Sequence, residues 1–159
     1  MKSTILVSIS TASLLAALAM PVRLAAQEQS GEVKECSNAT LRGSFGYTST
    51  GTLLRSYVPP PYAGPFAEVG RQTFDGKGNT DATGTLSANG NIFNKVTFQG
   101  TYTVNPDCTG SMTLTSSLGT SHADLVIDDD GAELRLIFTE SAVVESRVYK
   151  KQFRGGRKE

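Results

Sequence analysis

The sequence has no tryptophan, one histidine, two cysteines and three methionines among its 159 residues. Two cysteines and one histidine are too few for a tetrahedral metal site made without carboxylates, so we predict no metal and no cofactor. Acidic and basic residues balance at 15 each. No stripe of Lys and Arg interleaves with aromatic residues, so we expect no nucleic-acid partner. A chain of this length is typical of one compact domain.

Long apolar runs are also absent, with one exception at the N-terminus. Residues 5–20 carry no ionisable side chain and follow Lys2, a pattern typical of a secretory signal peptide. We place cleavage after Ala26, with Ala19 as the alternative, and expect residues 27–35 to be a polar linker. An uncleaved membrane anchor is the rival interpretation, but serines and a threonine interrupt the run, which is shorter than the roughly 20 apolar residues of a membrane span. We therefore expect a secreted or periplasmic protein with no integral membrane segment after cleavage.

Export determines how the two cysteines are interpreted. In an oxidising compartment two thiols are expected to pair, so the sequence predicts a disulfide between Cys36 and Cys108. The alternative is a reactive thiol, but neither cysteine has a base nearby in the sequence. On the chain-entropy model, closing a loop of this length stabilises the fold by about 4 kcal/mol.

Charge is unevenly distributed along the chain. Residues 27–146 hold 7 basic and 14 acidic groups, a net charge of −7, whereas residues 147–159 hold 6 basic groups and 1 acidic group, a net charge of +5. The basic C-terminal tail, residues 151–159, is therefore a candidate contact for an anionic surface. The alternative is a solvated terminus without a partner.

From Leu41 onward, polar and apolar residues alternate with a period of two, which predicts β-strands rather than helices. The inner face is clear in most strands but ambiguous in the second, where Phe66 and Glu68 share one face and Ala67 and Val69 share the other. The predicted strands are residues 41–48, 66–74, 81–88, 96–104, 112–115, 123–127, 134–138 and 142–149.

The connections between these strands are short and rich in turn residues. Asn89-Gly90 is a strong hairpin signal, and Asp or Asn with Gly marks most other connections. Only residues 50–65, rich in Tyr and Pro, form a long connection. Strands joined by hairpins predict an all-β domain at residues 36–150, an eight-stranded antiparallel up-and-down β-barrel in which closure removes exposed edges. A two-sheet β-sandwich is the alternative.

Three segments resemble a known group of proteins: residues 36–47 (CSNATLRGSFGY), 74–79 (FDGKGN) and 100–110 (GTYTVNPDCTG). They are similar to small exported bacterial proteins, mostly of unknown function, whose predicted barrel resembles those of allene oxide cyclase and the lipocalins. Gly43-Ser44-Phe45 also resembles the G-x-W opening of lipocalins, with Phe45 in place of the Trp. The resemblance implies a calycin-like barrel and export, and it assigns no catalytic residue.

Residues with catalytic or metal-binding side chains are few. His122 could act as an acid or base, but it shares a strand face with Asp124, opposite Ala123 and Leu125, so we expect a surface residue. The loop beginning at Asp75 is interpreted as a turn rather than a Ca²⁺ loop, because Lys77 stands where a ligand would be needed. The acidic run at residues 128–130 is a weak Ca²⁺ candidate.

Aromatic residues on the inner faces are the candidate ligand-binding residues. Tyr57 and Tyr62 of the long connection are candidate lids over one mouth of the barrel. The inward-facing aromatic residues are Phe45, Tyr47, Phe98, Tyr102 and Phe138. Because an eight-stranded barrel encloses room for packed side chains or one small ligand, these residues either form a core or line a pocket.

The sequence is compatible with three functions. The favoured one is a non-enzymatic exported barrel that binds a small apolar or aromatic molecule or acts at the cell envelope. The second is an isomerase or cyclase of the allene-oxide-cyclase type, and the third is a structural or adhesive envelope protein. A roomy apolar cavity would favour the first, clustered polar groups inside the barrel the second, and a filled core the third.

Overall fold

A computed structural model describes residues 35–152 of the chain. The predicted signal peptide (1–26), most of the linker (27–35) and most of the basic tail (151–159) lie outside these residues. In the part that is described, no helix is long and apolar enough to cross a bilayer.

Eight antiparallel strands close into a barrel in chain order, and the last pairs with the first through registers such as Tyr47 opposite Tyr149. This confirms the predicted all-β up-and-down barrel and excludes the two-sheet sandwich. The strands are β1 (Gly43–Leu53), β2 (Gly64–Phe74), β3 (Asn79–Ala88), β4 (Asn91–Val104), β5 (Thr109–Ser116), β6 (Gly119–Asp128), β7 (Glu133–Phe138) and β8 (Val143–Lys151).

Several boundaries differ from the sequence-based prediction. Leu41 lies in a 3₁₀ turn, Asn38–Leu41, rather than in β1. At its other end β1 continues to Leu53, so the long connection shrinks to residues 54–63. β4 begins at Asn91 rather than Val96, with a register shift in its pairing to β3 between Gly84 and Leu86. These extensions, residues 49–53 and 91–95, are mostly Ser, Thr, Gly, Asn and Lys, and their three large apolar residues, Leu53, Ile92 and Phe93, do not alternate regularly with polar ones.

Local sequence explains the tightest hairpin. Ala88 pairs with Asn91, so Asn89 and Gly90 alone form the β3–β4 turn. Both residues have positive φ values, 46° and 85°. A two-residue turn of this kind requires left-handed backbone at both positions, which Asn and Gly tolerate best.

One end of the barrel, called here the disulfide end, is closed by the N-terminal segment. Cys36 is bonded to Cys108 in the β4–β5 connection, with 5.0 Å between their Cα atoms, which confirms the predicted pairing. The 3₁₀ turn places Leu41 in the core with no exposed surface. Tyr102 donates a hydrogen bond from its hydroxyl to the Asn38 carbonyl at 3.1 Å, which holds the turn over the barrel.

The opposite end, called here the mouth, is formed by the loops that follow the odd-numbered strands. A small apolar cluster surrounds it, comprising Leu53, Phe66, Leu86, Ala88 and Val143. The loop at residues 54–63 is anchored there, because the Leu54 amide donates to the Ala142 carbonyl at 3.0 Å. The two ends therefore differ: the first is plugged by the chain itself, and the second is covered by one loop.

Candidate functional site

A group of polar side chains lies inside the barrel, at inward positions of β1, β2 and β8. Ser49 pairs with Glu68 on one side and with Arg147 on the other, so these residues form one row across three strands. Glu145 lies one inward position closer to the mouth on β8. We call the following set the buried polar cluster: Tyr47, Ser49, Glu68, Gln72, Glu145, Arg147 and Tyr149.

Arg147 is the centre of this cluster. Its side chain is 2% exposed, and Nη2 donates to Glu68 Oε2 at 3.0 Å and to Glu145 Oε1 at 2.8 Å. The guanidinium carbon also lies 4.4 Å from the centre of the Tyr47 ring, close enough for a cation–π contact. Nε is buried and has no hydrogen-bond partner among residues 35–152. One guanidinium therefore bridges two carboxylates, and its Nε has no partner among these residues.

Hydroxyl and amide groups extend the cluster away from Arg147. The Tyr47 hydroxyl donates to Glu68 Oε1 at 2.5 Å, and the Ser49 hydroxyl donates to Glu145 Oε1 at 2.6 Å. Toward the disulfide end, the Tyr149 hydroxyl donates to Gln72 Oε1 at 2.8 Å. Most buried polar atoms of the cluster are thus paired, as stability in a low-dielectric interior requires.

Two glycines make room for the Tyr47–Glu68 pair. Gly70 and Gly84 face each other on β2 and β3. A Cβ atom on either residue would lie 2.5 Å from the Tyr47 hydroxyl oxygen. Because real Cβ atoms do not approach other atoms so closely, these positions require glycine for space rather than for backbone conformation.

Burial changes the protonation of the cluster. It raises the pKa of Tyr149 to about 12 and that of Tyr47 further, so both phenols are neutral. It also raises the pKa of Glu145, against the opposing effect of Arg147. Burial alone would lower the pKa of Arg147, but Tyr149, Glu145 and Glu68 together raise it above its usual value, so the guanidinium stays charged.

A small cavity separates the buried polar cluster from the mouth. Its volume is about 50 Å³, which is room for roughly four water molecules. Typical small-molecule pockets measure about 300–1,000 Å³. Glu68, Glu145 and Arg147 line the cavity on its polar side, and the apolar wall includes Leu53, Tyr57, Phe66, Phe98, Leu114 and Phe138.

Tyr57 lines the cavity at the mouth. Its hydroxyl lies 3.3 Å from Ser121 Oγ on β6, across the barrel from the loop that carries it. The backbone of that loop turns tightly here, with the Tyr57 amide donating to the Leu54 carbonyl at 2.9 Å. The Tyr57 ring is therefore held over the cavity by one side-chain hydrogen bond and a short turn.

The seven aromatic residues named from the sequence are distributed over three places. Phe98, Phe138 and Tyr57 line the cavity. Phe45, Tyr47 and Tyr102 are buried, the first and last among the residues that fill the disulfide end and Tyr47 in the polar cluster. Tyr62 packs against Phe93, with 5.3 Å between ring centres, and is not part of the cavity wall.

Sequence analysis did not identify the three charged residues of the cavity. Glu68 lies on β2, whose inner face was ambiguous, and Glu145 and Arg147 lie on β8, to which no inner face was assigned. The alternation along β8 could have identified Glu145 and Arg147, because they lie on the same strand face as Val143 and Tyr149, which are also buried. The opposite face of β8 carries Val144 and Val148, so hydropathy alone did not separate the two faces.

The remaining candidates lie on the surface. The His122 side chain is 63% exposed, and its Nδ1 lies 2.7 Å from Glu140 Oε1. Asp75 accepts hydrogen bonds from the amides of Lys77 and Asn79, as expected for a turn, and Asp128 pairs with Arg135 at 2.6 Å. Within residues 35–152, no group of three or more His, Cys, Asp or Glu side chains is placed to hold a metal ion.

Comparison with known proteins adds information on the fold alone. No family model matches the chain, and no curated protein sequence matches it. Among solved structures, it is similar to a redesigned beta barrel, with a TM-score of 0.51 and 16% identity over 73% of this chain and 95% of that chain. This likeness supports the β-barrel fold and does not support a specific relation to allene oxide cyclase or the lipocalins.

Proposed function

We propose that this protein is an exported, non-enzymatic β-barrel that binds one small molecule in the cavity at the mouth. The observation that carries the proposal is the composition of this cavity, in which an apolar and aromatic wall meets Glu145 and Arg147 on its inner side. Pockets that bind small molecules combine such walls with a few polar groups that orient the ligand. The Cys36–Cys108 bond supports export, because disulfides persist in oxidising compartments.

The binding role is favoured over the structural one because the core is not filled at the mouth. It is favoured over catalysis because three of the four carboxylate oxygens of the cluster already accept hydrogen bonds from Tyr47, Ser49 or Arg147, which leaves one, Glu145 Oε2, without a partner among residues 35–152. Cavity size limits the affinity. An occupant of roughly four non-hydrogen atoms can gain at most about 1.5 kcal/mol per atom, which corresponds to a dissociation constant of about 40 µM or weaker.

A cavity-filling substitution tests this proposal. Ser116 lines the cavity, whereas its neighbour Thr115 is exposed on the outer face of the same strand. We expect amide chemical shifts of mouth residues to saturate with small amphipathic molecules in the wild-type protein and in Thr115→Phe. The same titrations should show no saturation in Ser116→Phe. The proposal fails if no compound saturates the wild-type protein, or if Ser116→Phe binds as well as the control.

Larger occupants require Tyr57 to move. A benzene-sized molecule needs a cavity of roughly 150 Å³, about three times the present volume. Tyr57→Ala should therefore bind phenol at least tenfold more tightly than the wild-type protein. Tyr62→Ala is the matched control, since Tyr62 belongs to the same loop but contacts Phe93 instead of the cavity. Equal phenol binding by the two variants would show that Tyr57 does not limit access.

Proton-transfer catalysis, as in an isomerase or cyclase, is the second candidate. It is supported by Glu145, a buried carboxyl group that lines the cavity and whose pKa burial raises. Incubating each bound compound with the protein in D₂O tests it. Deuterium incorporation or isomerisation that disappears in Glu145→Gln would support catalysis, and unchanged compounds would support binding alone.

A further inference from the structure

We propose that the occupant of the mouth cavity is a small organic cation, such as a primary alkylammonium ion. This inference rests on the proposed binding function and names the charge of the ligand. Among the described residues, the charged groups that line the cavity are two carboxylates and one guanidinium. The site therefore has one more acidic than basic side chain, in surroundings where electrostatic interactions are strong.

The hydrogen bonds of the cluster also favour a cationic ligand, because one carboxylate oxygen lacks a donor. Glu145 Oε1 accepts from both Ser49 and Arg147, whereas Oε2 accepts no hydrogen bond from residues 35–152. The Glu145 side chain is 10% exposed and lines the cavity. A carboxylate oxygen that lines a cavity and has no donor from the protein favours a ligand that brings an N–H group.

For an anionic ligand, the one cationic group of the cavity is already engaged, and Arg147 Nη1 donates to the Tyr149 hydroxyl at 3.4 Å. Arg147 Nη2 is shared between Glu68 and Glu145. Its Nε is enclosed by protein atoms and has no contact with solvent. A carboxylate entering the cavity would therefore lie beside two acidic side chains and would compete with both of them for the same guanidinium, which is unfavourable for an anion.

The aromatic wall also favours a cation. The faces of aromatic rings attract positive charge, and Arg147 already lies over two rings of the wall, 5.7 Å from the centre of Phe98 and 5.2 Å from that of Phe138. Tyr57 and Phe66 complete the aromatic surroundings at the mouth. An alkylammonium ion can place its charged group on Glu145 and its alkyl chain against these rings.

Three probes of four or five non-hydrogen atoms, with the same three-carbon skeleton, compare a cation, a neutral molecule and an anion. n-Propylamine, propan-1-ol and sodium propionate are titrated at neutral pH and constant ionic strength, with amide chemical shifts as the signal. We expect saturable binding of propylamine, at least tenfold weaker binding of propanol and no binding of propionate. Ser116→Phe should abolish the propylamine response, which distinguishes the cavity from the acidic outer surface.

Glu145→Gln removes the charge but keeps the size of the side chain. We expect it to weaken propylamine binding at least tenfold while leaving propanol binding unchanged. The control is Glu140→Gln, because Glu140 pairs with His122 on the surface, and it should leave both affinities unchanged. If Glu145→Gln does not fold, the comparison of the three probes on the wild-type protein decides the question.

The outcomes separate this inference from the proposed function. Equal affinity for propanol and propylamine, or tighter binding of propionate, would overturn the cation inference and leave a binding cavity in place. Absence of saturable binding by all three probes overturns the cation inference. If the broader set of amphipathic molecules also fails to bind, the proposed function is overturned with it.

Discussion

Removing the charge of Arg147 should destabilise the barrel strongly. Arg147, Glu68 and Glu145 have side-chain exposures of 2%, 3% and 10%, so Arg147→Met would leave two carboxylates buried without a counter-charge. Breaking a buried ion pair by deleting one partner costs about 3–5 kcal/mol. Because small domains have unfolding free energies of about 5–15 kcal/mol, the variant should lose a large fraction of its stability.

Urea unfolding at 25 °C, followed by far-ultraviolet circular dichroism, measures this loss. The informative control is a triple variant, Arg147→Met with Glu68→Gln and Glu145→Gln, which removes all three charges and keeps the side-chain volumes similar. We expect the triple variant to recover most of the lost stability, since the cost comes from uncompensated charge rather than lost packing. An Arg147→Met protein within about 1 kcal/mol of the wild type, or a triple variant as unstable as the single one, would refute this reasoning.

The remaining predictions concern the disulfide, the glycine contacts and the Asp75 turn. Replacing Cys36 and Cys108 together by serine should lower the unfolding free energy by about 4 kcal/mol, because the bond closes a loop with a sequence separation of 72. Gly70→Ala should cost about 1–3 kcal/mol in the same urea assay, because its new methyl group would lie 2.5 Å from the Tyr47 hydroxyl. Hydrogen bonds from Asn79 and Lys77 lower the pKa of Asp75 from 3.8 to about 2, so its stabilising contribution is present above pH 3.8 and is lost as the pH falls toward 2. Asp75→Asn should remove that part of the pH dependence, as followed by thermal unfolding across this range.

A specific experimental result would contradict each of these predictions. Unchanged stability after removal of both cysteines would mean that the bond does not constrain the unfolded chain. A Gly70→Ala protein as stable as the wild type would show that Tyr47 can move without loss. An Asp75 carboxyl group that titrates at its ordinary pKa in a carbon-13 NMR experiment would contradict the hydrogen-bonded turn.

Local sequence determined the strands and their tightest turns. Period-two alternation is sufficient to identify residues 96–104 of β4 and residues 112–115 of β5, where inward and outward residues differ clearly in polarity. Asn89-Gly90 is sufficient to predict a hairpin, because few other residues adopt the positive φ values that it needs. The Cys36–Cys108 bond followed from the number of cysteines and the expected export. These features depend on near neighbours or on composition, so the sequence reveals them directly.

The inner faces of β2 and β8 were decided by tertiary structure. Val144 and Val148 are more apolar than Glu145 and Arg147, yet the two valines face outward, 63% and 38% exposed. The charged residues can face inward because closure of the barrel brings Arg147 beside Glu68, which is 79 positions away in the chain. A buried charge is tolerated only when such a partner is present, and hydropathy along one strand does not contain that information.

The height of each aromatic residue in the barrel was likewise decided by tertiary structure. The alternation of inward and outward positions along a strand predicts that Phe45, Phe98 and Tyr102 point inward, and all three do. This alternation does not specify how far along the barrel axis each residue lies. That level follows from the registers of the paired strands, and the N-terminal turn that holds Leu41 over the disulfide end fills the space around Phe45 and Tyr102. The cavity described here lies at the mouth, beside Phe98. Its position depends on how segments distant in the sequence pack together, so no single strand predicts it.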